Sequence, residues 1–234
     1  MVNFPLELLK NSPISLDDKA FERLNIYGNL LIEWNEKMNL TAITEPRDVV
    51  IKHFLDCLTF FKAVNPPKGA KIIDVGTGAG FPGMVLKIAR PDLQVTLLDS
   101  LNKRLVFLKE VADKTDLNLE IIHARAEEGG KKTELREKFD FSCARAVAPL
   151  NVLLEYCTPF VKTGGSFVAM KGPAALNEIE AAKNAARLLN VKLQNKTHLT
   201  LEGTDERFII EYKKLSQTPP KFPRISAKIS KTPL

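Results

Sequence analysis

Apolar positions in the first 65 residues recur at the spacing of helices. Phe21, Leu24, Leu30, Leu31, Trp34 and Met38 fall three, four or a multiple of those apart, and Ser15 with Asp18 before them resembles a capping box. A second helix is expected from Thr44, with Pro46 in its first turn and Val50, Phe54, Leu58 and Phe61 on one face. The stretch Pro66-Pro67-Lys68-Gly69 then interrupts the pattern. Beyond it, short apolar runs predict strands at Lys71–Val75, Val95–Asp99, Glu120–His123, Phe139–Cys143 and Ser166–Lys171. Helical stretches at Met84–Arg90, Lys103–Lys114, Pro149–Val161 and Ala174–Leu189 lie between or after them. Strand and helix in alternation imply an α/β fold with right-handed crossovers and a mainly parallel sheet. Val191–Leu199 and Arg207–Tyr212 have no helix between them and are expected to pair antiparallel at an edge. The last residues, with Pro219, Pro220, Pro223 and Pro233, read as extended or irregular.

Bulk properties narrow the class. The chain has 234 residues and a net charge of +6, but the last acidic residue is Glu211. From Lys213 to Leu234 there are six bases and no acid, so the preceding chain balances at 28 bases to 28 acids. A protein coated with positive charge for nucleic acid is therefore excluded; what is left is a neutral body with a cationic tail. A hydrophobic content of 44% suits a globular protein, and no apolar run approaches the roughly 20 residues of a membrane span. Three scattered cysteines, Cys57, Cys143 and Cys157, fit neither a disulfide framework nor a zinc spacing. With no leader-like pattern at the N-terminus, a cytoplasmic protein without a metal is expected.

The most informative stretch is Ile72-Ile73-Asp74-Val75-Gly76-Thr77-Gly78-Ala79-Gly80-Phe81-Pro82-Gly83. A buried strand runs into Gly76, Gly78 and Gly80 and then into a helix, so backbone N–H groups face a ligand at the carboxyl end of the sheet. Phe81 occupies the place of the third glycine in the dinucleotide fingerprint, which turns weight from NAD towards another adenosine cofactor. Asp99 ends the next strand, where a carboxylate receives ribose hydroxyls. The plainer alternative is a tight turn and a helix cap.

At these residues the chain resembles the RsmG (GidB) family of bacterial small-subunit rRNA guanine-N7 methyltransferases. The blocks Trp34-Asn35-Glu36-Lys37-Met38-Asn39-Leu40-Thr41, Lys52-His53-Phe54-Leu55-Asp56, Arg125-Ala126-Glu127, Ala144-Arg145-Ala146-Val147-Ala148 and Met170-Lys171-Gly172 carry the resemblance together with the glycine loop. It implies a Rossmann-like class I methyltransferase fold dependent on S-adenosylmethionine. The expected parts are an N-terminal helical extension (1–65), a core with a seven-stranded sheet (66–214) and a basic tail (215–234). Gly76, Phe81, Ala126, Glu127 and Arg145 match positions that the family uses around the cofactor, and the residue matching Asp99 holds the ribose in related methyltransferases. The tail resembles the family's basic C-terminal signature, although Ser226, Ala227, Lys228 and Ile229 stand where relatives usually carry a glycine and a further proline. Lys221, Arg224, Lys228 and Lys231 are the expected RNA contacts.

The substrate implied is a guanine in 16S rRNA near the decoding site, free or within the small ribosomal subunit, acted on by a monomer that binds neither DNA nor membrane. Guanine N7 carries a lone pair and no proton, so transfer needs no general base. Arg145, Lys171 and Arg125 are expected to position the substrate through O6 or a phosphate, since a grip on N7 would block the reaction. His53 on a helix is read as a structural donor, and Trp34 as packing. Competing readings are another S-adenosylmethionine-dependent methyltransferase, a nucleotide-dependent oxidoreductase, and an RNA-binding module without catalysis.

Overall fold

A computed structural model describes residues 2–203 and 205–234. Helix α1 (Asp18–Met38) is capped by Asp17, whose side chain accepts from the amide of Ala20 at 2.7 Å. The cap expected at Ser15 therefore lies two residues further on: Asp17 is the short polar residue whose oxygen reaches the third helical position. The second helical run is not one regular helix. It opens with α2 (Pro46–Asp48), passes through a π-helical turn (Val49–Leu55), and closes with α3 (Asp56–Leu58) and α4 (Phe60–Ala63). Pro46 occupies its first turn, where the missing N–H costs nothing. The wider π turn is of the kind found at functional sites, and here it carries Lys52 and His53.

The sheet follows in order: β1 (Lys71–Val75), α5 (Gly83–Ala89), β2 (Gln94–Asp99), α6 (Asn102–Lys114), β3 (Glu120–His123), α7 (Ala126–Gly129), β4 (Phe139–Arg145), α8 (Leu150–Cys157) and β5 (Val161–Lys171). Two short helices, α9 (Ala175–Ala181) and α10 (Lys183–Leu188), lead to β6 (Val191–Leu201) and β7 (Asp205–Lys214). The seven strands lie in the order β3-β2-β1-β4-β5-β7-β6. The first five run parallel, whereas β7 lies antiparallel between β5 and β6. Strand order reverses between β1 and β4, which opens a crevice at their carboxyl ends. This is the mainly parallel α/β sheet that the alternation predicts, in the seven-stranded, Rossmann-like form that the resemblance implies.

Each face of the sheet is covered. On one, Leu24, Tyr27, Leu31, Phe54 and Phe60 of the N-terminal helices share a core with Met84, Leu86, Phe107 and Leu108. The N-terminal segment is thus a helical layer over the sheet and forms part of its core. On the other face, Leu150, Leu153, Leu154, Phe160 and Leu189 pack with Phe222 of the tail. The tail is correspondingly more ordered than its prolines suggest. It ends in helix α11 (Ser226–Lys231), with Phe222 and Ile229 buried. Phe222, Pro223 and Ile229 face inward there, so the tail gains apolar contact that its charge count does not reveal. Among the described residues, no helix is long and apolar enough to cross a membrane.

Candidate active site

The crevice between β1 and β4 holds a cleft of about 850 Å³, within the size range of small-molecule and cofactor sites. Its floor is the glycine loop. Gly80 has φ of +102°, and an added Cβ would stand 2.7 Å from the Tyr27 hydroxyl and 2.8 Å from Leu108, so no side chain fits where the loop meets the N-terminal layer. The Tyr27 hydroxyl donates to the carbonyl of Ala79, and Phe81 packs against Tyr27, at 5.4 Å between ring centroids. Beneath the loop, buried Asp74 accepts from Thr77 Oγ1 (2.6 Å) and the Gly83 amide (2.8 Å) with one carboxylate oxygen, while its other oxygen has no partner among the described residues. Burial pushes its pKa up to about 6 despite those hydrogen bonds. Asp74 is a loop anchor that the spacing argument passes over.

At one end of the cleft Asp99 Oδ2 accepts from the Gly78 amide at 2.9 Å, and Oδ1 from the Leu101 amide at 2.9 Å. Arg104 approaches at 3.4 Å. Asp99 therefore ties the loop to the start of α6. A carboxylate offers about four acceptor sites, so three filled ones leave room for a hydroxyl. Glu127, at the start of α7, lines the same end and is 8% exposed. Among the described residues its carboxylate has no hydrogen-bond donor or cation. Its oxygens are not sealed from solvent, so they are open acceptors on the cleft wall. Gly76, Gly78, Phe81 and Ala126 border the same space, whereas Gly80 stands behind the loop. Volume, free acceptors and glycine floor fit a nucleoside with hydroxyls and exocyclic amine.

At the other end Arg145, the last residue of β4, is held from three sides. Its Nη1 donates to the Lys52 carbonyl (3.0 Å) and to Asp56 (2.9 Å), its Nη2 donates to His53 Nδ1 (3.1 Å), and its Cζ lies 4.8 Å above the Phe81 ring. Arg207 of β7 donates to the second oxygen of Asp56 at 3.1 Å. Two cations thus clamp one buried carboxylate, joining π turn, β4 and β7. A guanidinium has five N–H donors. Three are used here, which leaves two for the cleft. Nothing in the local pattern marks Asp56 or Arg207 for this role: their partners lie far off in the sequence, and Arg207 reads merely as a strand residue.

Because Arg145 donates to Nδ1, the imidazole proton of His53 sits on Nε2 and points to Thr41 Oγ1 at 2.9 Å. His53 also stacks on Phe81, with ring centroids 4.4 Å apart. Burial, and then the Arg145 charge, hold its pKa at about 3. An imidazole with a depressed pKa stabilises the fold fully above its unfolded pKa of about 6.5, and the contribution disappears as pH falls towards 3. His53→Asn, which keeps an acceptor for Arg145, is accordingly expected to flatten the loss of stability between pH 6.5 and 3, as read from denaturant unfolding at stepped pH. Equal acid sensitivity in both proteins would show that His53 does not titrate in this way.

The remaining expected residues divide by environment. Arg125 is exposed at the rim, with no carboxylate bound among the described residues. Lys171 lines the cleft, but its Nζ bonds the Ala148 carbonyl (2.9 Å) and Glu178 (2.8 Å). Lys221, Lys228 and Lys231 are exposed on the tail. Arg224, expected beside them on RNA, is turned inward instead: its Nε and Nη2 reach the fully buried Glu155 at 2.8 and 2.6 Å, and its Nη1 donates to the Thr232 carbonyl. A carboxylate sealed in an apolar core must be paired, and Arg224 is the residue that pairs it. Trp34 packs near Phe107 and donates to Glu110 at 3.0 Å.

The chain is similar to known proteins along most of its length. The GidB family model, described as rRNA small subunit methyltransferase G, matches residues 20–209. The chain is 48% identical over 223 residues to the ribosomal RNA small subunit methyltransferase G of Clostridium perfringens (strain SM101 / Type A), covering 94% of this chain and 93% of that one. It is 47% identical over 235 residues to the protein of the same name from Thermoanaerobacter sp. (strain X514), covering 100% and 98%. Among solved structures, a methyltransferase from Pyrococcus furiosus superposes with a TM-score of 0.54 at 15% identity, over 83% of this chain and 99% of that one. TYW2 of M. jannaschii, solved in complex with AdoMet, gives 0.52 at 16% identity, over 64% and 71%. At such identities the solved structures show the fold alone. The match over residues 20–209 and the near-full-length relatives show more: this chain belongs to the GidB family of rRNA small subunit methyltransferases.

Proposed function

We propose that the protein transfers a methyl group from S-adenosylmethionine to N7 of a guanine in 16S rRNA, in a loop near the decoding site. The observation that carries this reading is a single cleft with two unlike ends. Asp99 and Glu127 supply acceptors at one end beside the glycine loop; Arg145 supplies donors at the other, and the exposed Arg125 stands at the rim. S-adenosylmethionine, when bound, supplies an electrophilic methyl on sulfonium sulfur. Asp99 and Glu127 would hold it through ribose and adenine donors, with the Gly76–Gly78 backbone close beneath.

The chain's own groups explain how transfer proceeds without a base. Guanine N7 attacks with a lone pair already in the ring plane, so no proton leaves it. His53 is neutral and bonded at both ring nitrogens, and Asp74 lies beneath the loop, bonded to Thr77 and Gly83. Catalysis rests on alignment, which supplies up to about 7–11 kcal/mol in well-oriented reactions. The two free N–H groups of Arg145 are aimed at O6 or an adjoining phosphate, and the exposed Arg125 at a phosphate. The acceptor must be unpaired, because a base held in a stack cannot enter a cleft. Lys221, Lys228 and Lys231 provide a salt-sensitive attraction for the RNA around it.

Calorimetric titration separates the alternatives. S-adenosylmethionine is expected to bind and NAD to fail. Binding of neither would leave an RNA-binding module, and binding of NAD alone would contradict the cofactor assignment.

A further inference from the structure

The loop that follows Arg145 borders the cleft and is held by contacts from several elements. Ala146 has φ of +53°, a conformation that costs a residue bearing a Cβ about 1 kcal/mol or more and is kept where surrounding contacts enforce it. The next residue, Val147, is 42% exposed although it is apolar and faces the cleft. It abuts the glycine loop so closely that a Cβ added to Gly76 would stand 3.1 Å from its Cγ2. One ion pair holds the far side of the loop. Lys171 Nζ donates to the Ala148 carbonyl (2.9 Å) and pairs with Glu178 (2.8 Å), and the same Glu178 oxygen accepts from the Leu150 amide at 2.7 Å. The lysine comes from the end of β5 and the glutamate from α9, so two separate elements pin a turn only a few residues long.

We propose that the Lys171–Glu178 pair is a staple that sets Val147 as the apolar ledge against which the acceptor purine lies. A β-branched side chain has few rotamers and presents a rigid surface, which suits the flat face of an unstacked base. Lys171 and Glu178 act through the loop and are positioning residues; Val147 is the group that meets the ring. This inference rests on the reading of the protein as an RNA guanine methyltransferase. It also gives Lys171 a positioning role, with two of its three N–H donors engaged by the Ala148 carbonyl and the Glu178 carboxylate.

The test uses the full-length protein with Lys171→Met, Glu178→Ala, Val147→Ala and the double variant Lys171→Met with Val147→Ala. Amide exchange over residues 146–150 is expected to quicken about tenfold in Lys171→Met and in Glu178→Ala, because both release the turn. Methylation of small-subunit rRNA is expected to lose about ten- to a hundredfold in kcat in each single variant, while the Kd for S-adenosylmethionine moves by less than about threefold. The double variant is expected to be no slower than Lys171→Met alone, since both changes remove the same ledge. Multiplied losses in the double variant, or an active Glu178→Ala beside an inactive Lys171→Met, would overturn the staple and place Lys171 on the RNA. Should Lys171→Met not fold, exchange and activity in Glu178→Ala decide alone. Wild-type protein that leaves guanine N7 unmethylated fails the functional reading instead, and the exchange result still judges the staple.

Discussion

Arg145→Ala is expected to abolish methylation, with a loss of about 10²-fold or more in single-turnover rate, and to lower stability by about 3 kcal/mol. Both effects come from the same contacts. Arg145 satisfies the carbonyl of Lys52, one oxygen of Asp56 and Nδ1 of His53, and all three belong to the π turn and its continuation. Removing it leaves a buried carboxylate with Arg207 as its remaining cation and frees the wall of the cleft to shift. Lysine is not a substitute. A single ammonium cannot span three acceptors in one plane and still offer donors to the substrate, so Arg145→Lys should recover part of the stability and little of the rate. Denaturant unfolding and single-turnover transfer, measured on the same preparations, check the split. Full activity in Arg145→Lys would show that only the charge matters.

The second large effect lies in the tail, where two kinds of base do different work. Arg224→Ala leaves Glu155, which is fully buried, with the backbone amide of residue 224 as its partner among the described residues. Breaking a buried pair from one side costs about 3–5 kcal/mol, so this variant should unfold at markedly lower denaturant. Phe222 and Ile229 would loosen with it, because the pair anchors the strand of chain between them. The combined change Lys221→Ala, Lys228→Ala and Lys231→Ala should leave the unfolding midpoint nearly unaltered. It should instead make the salt dependence of RNA binding shallower by about 2–3 in the log–log slope. An unchanged slope in the triple variant would mean that the tail is a strap and not a contact.

Much of the architecture is legible in the chain because it is local. Apolar runs of four to seven residues alternating with helical periods dictate the parallel strands, and the glycines after β1 mark the crevice. What sequence reading misplaces is long-range or hidden by charge. Asp56, Arg145 and Arg207 meet from positions 89 and 151 residues apart, and nothing in their local pattern declares it. Phe81 is legible as a break from the dinucleotide fingerprint, but its burial between Tyr27 and His53 appears only once the N-terminal layer is in place. The π turn escapes notice because apolar residues crowd Val49, Val50 and Ile51 without favouring either helical period. Arg224 is the plainest case. Counted with its neighbours it is one more tail cation, and only Glu155, on a helix 69 residues away in the chain, reveals its use.

Mapping N7-methylguanine in small-subunit rRNA tests the proposed delivery of a methyl group from this cleft to one guanine N7. Small-subunit rRNA from cells lacking the protein should miss one such mark near the decoding site. Purified protein with S-adenosylmethionine should restore that mark, and the Arg145→Ala variant should not. An rRNA whose N7-methylguanine map is the same with and without the protein would contradict the account.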